Sequence, residues 1–207
     1  LFNCSNIEEI TIEANPDDLT EEYVEALAKT SVNRVSLGIQ SFDDEILRFM
    51  NRRHSAEEAK AAVGRLRRAG IENISIDLIF GVAGFGRERL HRSLEEAIAL
   101  DVEHISAYHL TIEERTKLGL MLRKGEYQPL TDEESEEEYL IVHRALTRAG
   151  YEHYEASPMV TWSATSATSQ PELFGAPMVA FSPITQNSSK MAYSILVFFP
   201  ILQRRMM

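Results

Sequence analysis

The stretch NISIDLIF at Asn73–Phe80 is an apolar, β-branched run that ends at Gly81. Such a run, closed by a glycine, predicts a buried β-strand. Helical patterns flank it on both sides: Ser55 begins one that reaches about residue 69, and residues 87–100 form another with its apolar side chains on one face. A strand between two helices is the repeating unit of an α/β fold.

The same alternation continues outward in both directions. Strands are predicted at residues 7–14, 34–39, 103–110 and 151–156, and helices at residues 20–29, 43–50 and 132–149. Strands joined through helices run parallel, because each crossover returns the chain to the same end of the sheet. Four or five such units cannot close an eight-stranded barrel. The prediction is therefore an α/β layer, either an open sheet or part of a barrel.

Composition excludes several classes of protein. The chain has 207 residues, 44% of them hydrophobic and 26% charged, which is typical of a globular protein. Its net charge of −11 argues against general nucleic-acid binding. Cys4 is the only cysteine, so it forms no internal disulfide and cannot alone hold a metal cluster. With no signal peptide and no apolar run of about 20 residues, we expect a cytoplasmic protein that does not span a membrane.

The regular pattern stops near residue 157. Residues 158–207 are rich in Ser, Thr and Pro and show neither helical nor strand periodicity. We therefore divide the chain into a domain at residues 1–157 and an irregular tail at residues 158–207. The tail is interpreted either as a disordered extension or as the product of a shifted reading frame.

Polar residues mark the carboxyl ends of the predicted strands. Parallel α/β folds bind ligands at these ends. A guanidinium can grip a carboxylate with two hydrogen bonds, and carboxylates accept bonds from an ammonium group or sugar hydroxyls. The sequence therefore predicts a site for a zwitterion and a ribose. Its candidate residues are Glu13, Gln40, Arg52, Asp77 and Thr111.

Other interpretations stay open at this point. Glu13 could cap the turn after its strand, and Asp77 could be a buried acid paired with a basic residue. His109 is expected to be a packed or rim histidine, not a metal ligand. The glycine-rich loop at residues 81–86 would suit close approach of a ligand, or it is a plain turn between strand and helix.

Six ordered motifs carry a family resemblance. They are ITIEANP at 10–16, NRVSLGIQSF at 33–42, NRRH at 51–54, IDLIFG at 76–81, ISAYHL at 105–110 and YEHYE at 151–155. In this order and spacing they resemble the radical S-adenosylmethionine (SAM) proteins of the oxygen-independent coproporphyrinogen III oxidase group. Within that group the sequence is most similar to the HemW-type branch of heme chaperones. The resemblance covers about residues 5–157.

The resemblance implies a fold, cofactors and partners. The family's fold is an incomplete (βα)6 barrel, of which this chain would form four to five βα units. A 4Fe–4S cluster on a Cys-x-x-x-Cys-x-x-Cys loop binds SAM, and the partners are heme or coproporphyrinogen III and membrane respiratory proteins as heme acceptors. By resemblance, Arg52 would pair with the methionyl carboxylate of SAM. Glu13, Gln40 and Asp77 would face its amine or ribose, and Thr111 occupies another SAM-binding position.

The cluster-binding loop of the family is not found in this sequence. No residue is therefore assigned a catalytic or metal-binding role, and the chain taken alone is expected to be inactive. For the parent protein, heme binding and delivery is the preferred function. Oxidative decarboxylation of coproporphyrinogen III, as by a dehydrogenase of heme biosynthesis, is the alternative, and an unrelated α/β binding module is the third.

Overall fold

The computed structural model describes residues 7–154 and, for the backbone alone, residues 178–183 and 194–197. The strands are β1 (Glu9–Ala14), β2 (Arg34–Gln40), β3 (Asn73–Phe80), β4 (His104–His109), β5 (Tyr151–Tyr154), β6 (Met178–Pro183) and β7 (Ser194–Val197). The helices are α1 (Glu21–Leu27), α2 (Asp44–Phe49), α3 (Ala56–Arg68), α4 (Arg87–Ala99), α5 (Lys117–Lys124) and α6 (Asp132–Arg148). A 3-10 turn, Pro16–Asp18, follows β1.

The described strands form one sheet in the order β5-β6-β4-β3-β2-β1-β7. β1 to β4 are neighbours in chain order and pair in parallel, which confirms the α/β prediction. β6 pairs antiparallel with both β4 and β5, so β5 runs in the direction of β4 but is separated from it by one strand. The alternation of strands and helices had predicted this direction, but it could not place β6.

Two strands come from the segment after residue 157, where the sequence predicts no regular element. β6 lies against β4, and β7 pairs in parallel with β1 at the other side of the sheet. An edge strand offers a row of unpaired backbone groups, and pairing with it does not require side-chain alternation. Periodicity could therefore not locate these strands.

Local signals in the sequence explain where the helices begin. Ser55 and Thr131 each accept a hydrogen bond from a backbone N–H of the first turn, and a glutamate three residues on completes a capping box. Asp43 caps α2 in the same way through the N–H groups of Glu45 and Ile46. α5 begins at a Thr116 cap and ends at Gly125 in the left-handed conformation. The sequence analysis assigned no element to α5.

The core lies on one face of the sheet, under the helices. Alternate residues of β2 and β3 are completely or nearly completely buried there with the inward faces of α3, α4 and α6. The main contributors are Val35, Leu37, Ile39, Ile74, Ile76, Leu78, Phe80, Val63, Leu66, Leu94, Val142 and Leu146. Successive side chains of a strand point to opposite faces, so the residues between them line the other face of the sheet.

Candidate functional site

The face of the sheet turned away from the helices is polar. We call this surface the polar face and define it by Glu9, Thr11, Glu13, Arg34, Ser36, Gly38, Ser75, Asp77, His104, Ser106 and Tyr108. Strands of a parallel sheet are normally apolar on both faces, because helices cover both. A polar face opposite an apolar one therefore indicates a surface that can bind polar groups, although Ser75 and Ser106 within it are buried.

The amino-terminal half of the polar face is held by internal pairs. Arg34 Nη1 lies 3.2 Å from Glu9 Oε1, and the Ser75 hydroxyl lies 2.7 Å from His104 Nδ1. Burial, with the nearby charge of Arg34, lowers the pKa of His104 to about 4. This imidazole is therefore neutral at pH 7 and serves as a hydrogen-bonding group.

The carboxyl-terminal half of the polar face centres on Asp77. Its strand partner is Ser106, and the serine side chain favours the charged form of the carboxyl group. Burial, with the nearby charge of Asp77, raises the pKa of Tyr108 on the same face. Burial raises the pKa of Asp77 to about 6 and the negative charge of Glu13 adds to this, while Ser106, Arg34 and Arg52 oppose it. The carboxyl group thus titrates close to neutrality.

Arg52 reaches this region from the loop between α2 and α3. It interacts electrostatically with Asp17 and Asp77, and its partial burial lowers its pKa while those two carboxylates raise it. The loop is tied down at the next residue, where Arg53 Nη2 lies 2.6 Å from Asp17 Oδ2. Loop and turn together place one guanidinium within electrostatic range of the Asp77 carboxylate.

Gln40 adopts an uncommon backbone conformation at the end of β2. Its φ is +66°, and the register between β2 and β3 shifts between Leu37 and Gln40. Its side chain is 7% exposed and folds over Gly38, where an added Cβ would lie 2.8 Å from Gln40 Nε2. Among the described residues, Oε1 has no hydrogen-bond partner. A buried acceptor without a donor is costly, and this one is suited to a ligand N–H or O–H.

The structure brings most of the predicted site residues together. Glu13 and Arg52 both interact with Asp77, and Gln40 folds over Gly38 on the same face. Thr111 is exposed in the loop after β4, and within the described residues no contact joins it to the other four.

The alternatives for Glu13 and Asp77 were a cap for the turn after β1 and a buried acid paired with a basic residue. The turn after β1 is closed by Asn15 and Asp18, without Glu13. Arg34 and Arg52 interact electrostatically with Asp77, but among the described residues neither forms an ion pair with it within 4 Å.

His109 packs on the helix side of the sheet. Its Nε2 atom lies 3.1 Å from Ser135 Oγ, and its ring packs edge-on against Phe80. In the glycine-rich loop, protein side chains accept from the N–H groups: Gly81 N donates to Glu138 and Ala83 N donates to Tyr127. This arrangement fits the plain turn between strand and helix.

The sequence analysis missed the residues in the middle of the strands, namely Arg34, Ser106 and Tyr108. It considered strand ends only. The signal that would have found them is the period of two in RVSLGIQ and HISAYH, where polar residues alternate with buried apolar ones.

The polar face can bind a polar ligand but holds no metal centre. Within residues 7–154, no three His, Cys, Asp or Glu side chains converge as metal ligands. None of the described helices has the length and apolar character needed to cross a bilayer. What the face does offer is one guanidinium, two carboxylates and an amide, a set suited to a zwitterion with hydroxyl groups.

Sequence comparisons identify a family model and relatives that match this chain. Residues 3–97 match the model of the Radical SAM superfamily. The heme chaperone HemW of Lactococcus lactis is 36% identical over 73% of this chain and 40% of that protein. The heme chaperone HemW of Bacillus subtilis is 37% identical over 74% of this chain and 40% of that protein.

A solved structure has a similar fold. Coproporphyrinogen III oxidase (HemN) from Escherichia coli, described as a radical SAM enzyme, superposes with a TM-score of 0.60 at 22% identity, over 70% of this chain and 33% of that one. This chain spans about two fifths of the length of the curated relatives it matches. Its described α/β unit corresponds to part of a radical SAM barrel. The chain therefore belongs to the Radical SAM superfamily, in the group of proteins related to the heme chaperone HemW.

Proposed function

We propose that this chain forms the SAM-binding part of a HemW-like heme chaperone, with the polar face as the binding surface. The observation that carries the proposal is that Arg52 and Glu13 both interact electrostatically with the buried Asp77. SAM is a zwitterion at its methionyl end and carries two ribose hydroxyls. A guanidinium and two carboxylates are complementary to those groups.

Each residue has a distinct role in this proposal. Arg52 binds the methionyl carboxylate, because its planar guanidinium can donate two parallel hydrogen bonds. Asp77 and Glu13 accept from the ammonium group or the ribose hydroxyls. Gln40 Oε1, buried and without a donor among the described residues, accepts a further bond from the ligand. Thr111 enters the proposal through the family resemblance alone.

An iron–sulfur cluster needs thiolate ligands that the described residues do not supply. When a 4Fe–4S cluster is present in a radical SAM protein, it supplies the electron that cleaves SAM to a 5′-deoxyadenosyl radical. Residues 7–154 contain no cysteine, so the described part of the chain offers no thiolate ligand for a cluster. The chain's own residues thus bind and orient SAM, and the proposal derives no radical step from them.

Isothermal titration of the chain with SAM tests the binding site. We expect measurable binding by the natural chain and a loss of at least about 30-fold for Arg52→Gln, because truncating one partner of a buried charge pair costs about 2–5 kcal/mol. Arg92→Gln on the exposed side of α4 is the matched control and should bind like the natural chain. Absence of SAM binding, or equal binding by both variants, would refute the site.

A titration with hemin tests the chaperone assignment. Binding of hemin, followed by its Soret band, supports a role in delivering heme to membrane respiratory proteins. Binding of coproporphyrinogen III in place of hemin would favour the dehydrogenase. Since the relatives named heme chaperone are more than twice as long as the match, both titrations should be repeated on the longer parent protein.

A further inference from the structure

His54 is a buried histidine between two elements of the proposed site. It lies two residues after Arg52 in the loop between α2 and α3, and it is 4% exposed. Its Nε2 atom lies 3.0 Å from the carbonyl oxygen of Ile39. A carbonyl only accepts, so Nε2 carries the proton and donates. Ile39 is the residue directly before Gln40.

The Ile39 carbonyl closes a strained turn. It also accepts from Ser41 N at 2.9 Å, which places Gln40 at the centre of a three-residue γ-turn. A γ-turn with a positive central φ is rare and strained, and such strain persists only where the surroundings hold it. His54 supplies a second donor to the same carbonyl and therefore helps to hold Gln40 at its φ of +66°.

The opposite side of the imidazole faces the turn after β1. Its Nδ1 atom lies 3.9 Å from Asp17 Oδ1. Asp17 also pairs with Arg53 and interacts electrostatically with Arg52. The ring thus connects the end of β2, the loop that carries Arg52 and the Pro16–Asp18 turn.

We infer that His54 is a positioning residue that fixes Gln40 and Arg52 relative to each other, so that one ligand can contact both. This inference rests on the proposed SAM site. His54 does not touch the ligand itself, because its ring is enclosed between β2 and the turn. Its effect passes through the Ile39 carbonyl to the strained turn and through the loop to the guanidinium.

The test compares His54→Ala with His54→Gln in the full chain. Gln keeps an N–H that can donate to the Ile39 carbonyl, whereas Ala keeps none. Two quantities are measured: the affinity for SAM, and the backbone amide signals of Gln40, Ser41 and Arg52 in a nitrogen-15 NMR spectrum. Substituting the exposed His91 on α4, as His91→Ala, is the control and should change neither.

We expect His54→Ala to weaken SAM binding at least about tenfold and to shift those amide signals, and we expect His54→Gln to recover most of both. Natural affinity with unchanged signals in His54→Ala would overturn the inference. So would a His54→Gln variant no better than His54→Ala, because the ring would then act by packing alone. If the natural chain itself does not bind SAM, the binding proposal fails, while the amide signals still decide whether His54 holds the turn.

Discussion

Asp77 on β3 and Ser106 on β4 are register partners in the sheet, and Ser106 opposes the effect of burial on the pKa of the Asp77 carboxyl group. The pKa of this carboxyl group is raised from 3.8 to about 6, with burial as the main cause. The folded protein therefore binds this proton more tightly than the unfolded chain does. The resulting contribution to stability is complete below pH 3.8 and is lost as the pH rises through about 6.

Asp77→Asn should remove this pH dependence. Each unit of pKa shift corresponds to about 1.4 kcal/mol, and partial solvent exposure reduces the effect. We expect the variant to be more stable than the natural chain by about 1–2 kcal/mol above pH 7, with the difference vanishing near pH 4. Urea denaturation at several pH values gives both curves. A difference that does not change with pH would show that Asp77 titrates normally.

Ser106→Ala should raise the pKa of Asp77 further, because Ser106 lowers that pKa and a hydrogen bond from its hydroxyl would stabilise the charged carboxylate. Carbon-13 NMR of the aspartate carboxyl carbons follows the titration, and Asp77→Asn identifies the signal. Ser75→Ala is the matched control, because Ser75 lies on the same face but pairs with His104. A pKa equally high in both variants would assign the effect to the strand and not to the hydrogen bond.

Gly38→Ala should impair the ligand site more than the fold. A Cβ on Gly38 would lie 2.8 Å from Gln40 Nε2, the movable end of a side chain. The side chain can swing away, so we expect the free energy of unfolding to change by less than about 1 kcal/mol. SAM affinity should fall about tenfold, because Gln40 is displaced. Titration calorimetry and urea denaturation together check this, and unchanged affinity would show that Gln40 does not contact the ligand.

Two helical glycines should respond in opposite ways to alanine. A Cβ on Gly119 in α5 would overlap the backbone of Glu113 and Glu114, so Gly119→Ala should destabilise by more than about 2 kcal/mol. A Cβ on Gly64 in α3 meets only Arg68 Nη1 at 3.5 Å, so Gly64→Ala should stabilise by about 0.5–1 kcal/mol. Thermal unfolding of both variants tests the packing of α5. Equal changes in stability for the two variants would mean that α5 does not pack closely against residues 113–114.

Sequence patterns located the parallel part of the fold because there each local signal agrees with the tertiary structure. The strand Asn73–Phe80 begins and ends where the apolar run does, and the Ser55 capping box begins α3 as predicted. The meeting of Glu13 and Asp77 followed from a rule of topology, since parallel strands end at one edge.

Other features depend on contacts between distant residues. Glutamine seldom adopts a positive φ, so the turn at Gln40 had no local signal and depends on its surroundings. α5 is short and has a glycine in its middle, which lowers its intrinsic helix propensity. β6 lies between β4 and β5, and periodicity does not encode which strands it pairs with.

The polar face also has a consequence for the thermodynamics of recognition. Where the hydroxyls, carboxylates and guanidinium of this face reach solvent, a ligand exchanges hydrogen bonds with water for hydrogen bonds with protein. Little apolar area is removed from solvent in such an exchange. Association should therefore be driven by enthalpy, with only a small negative change in heat capacity. A ligand that instead covered apolar surface would produce a large negative change in heat capacity.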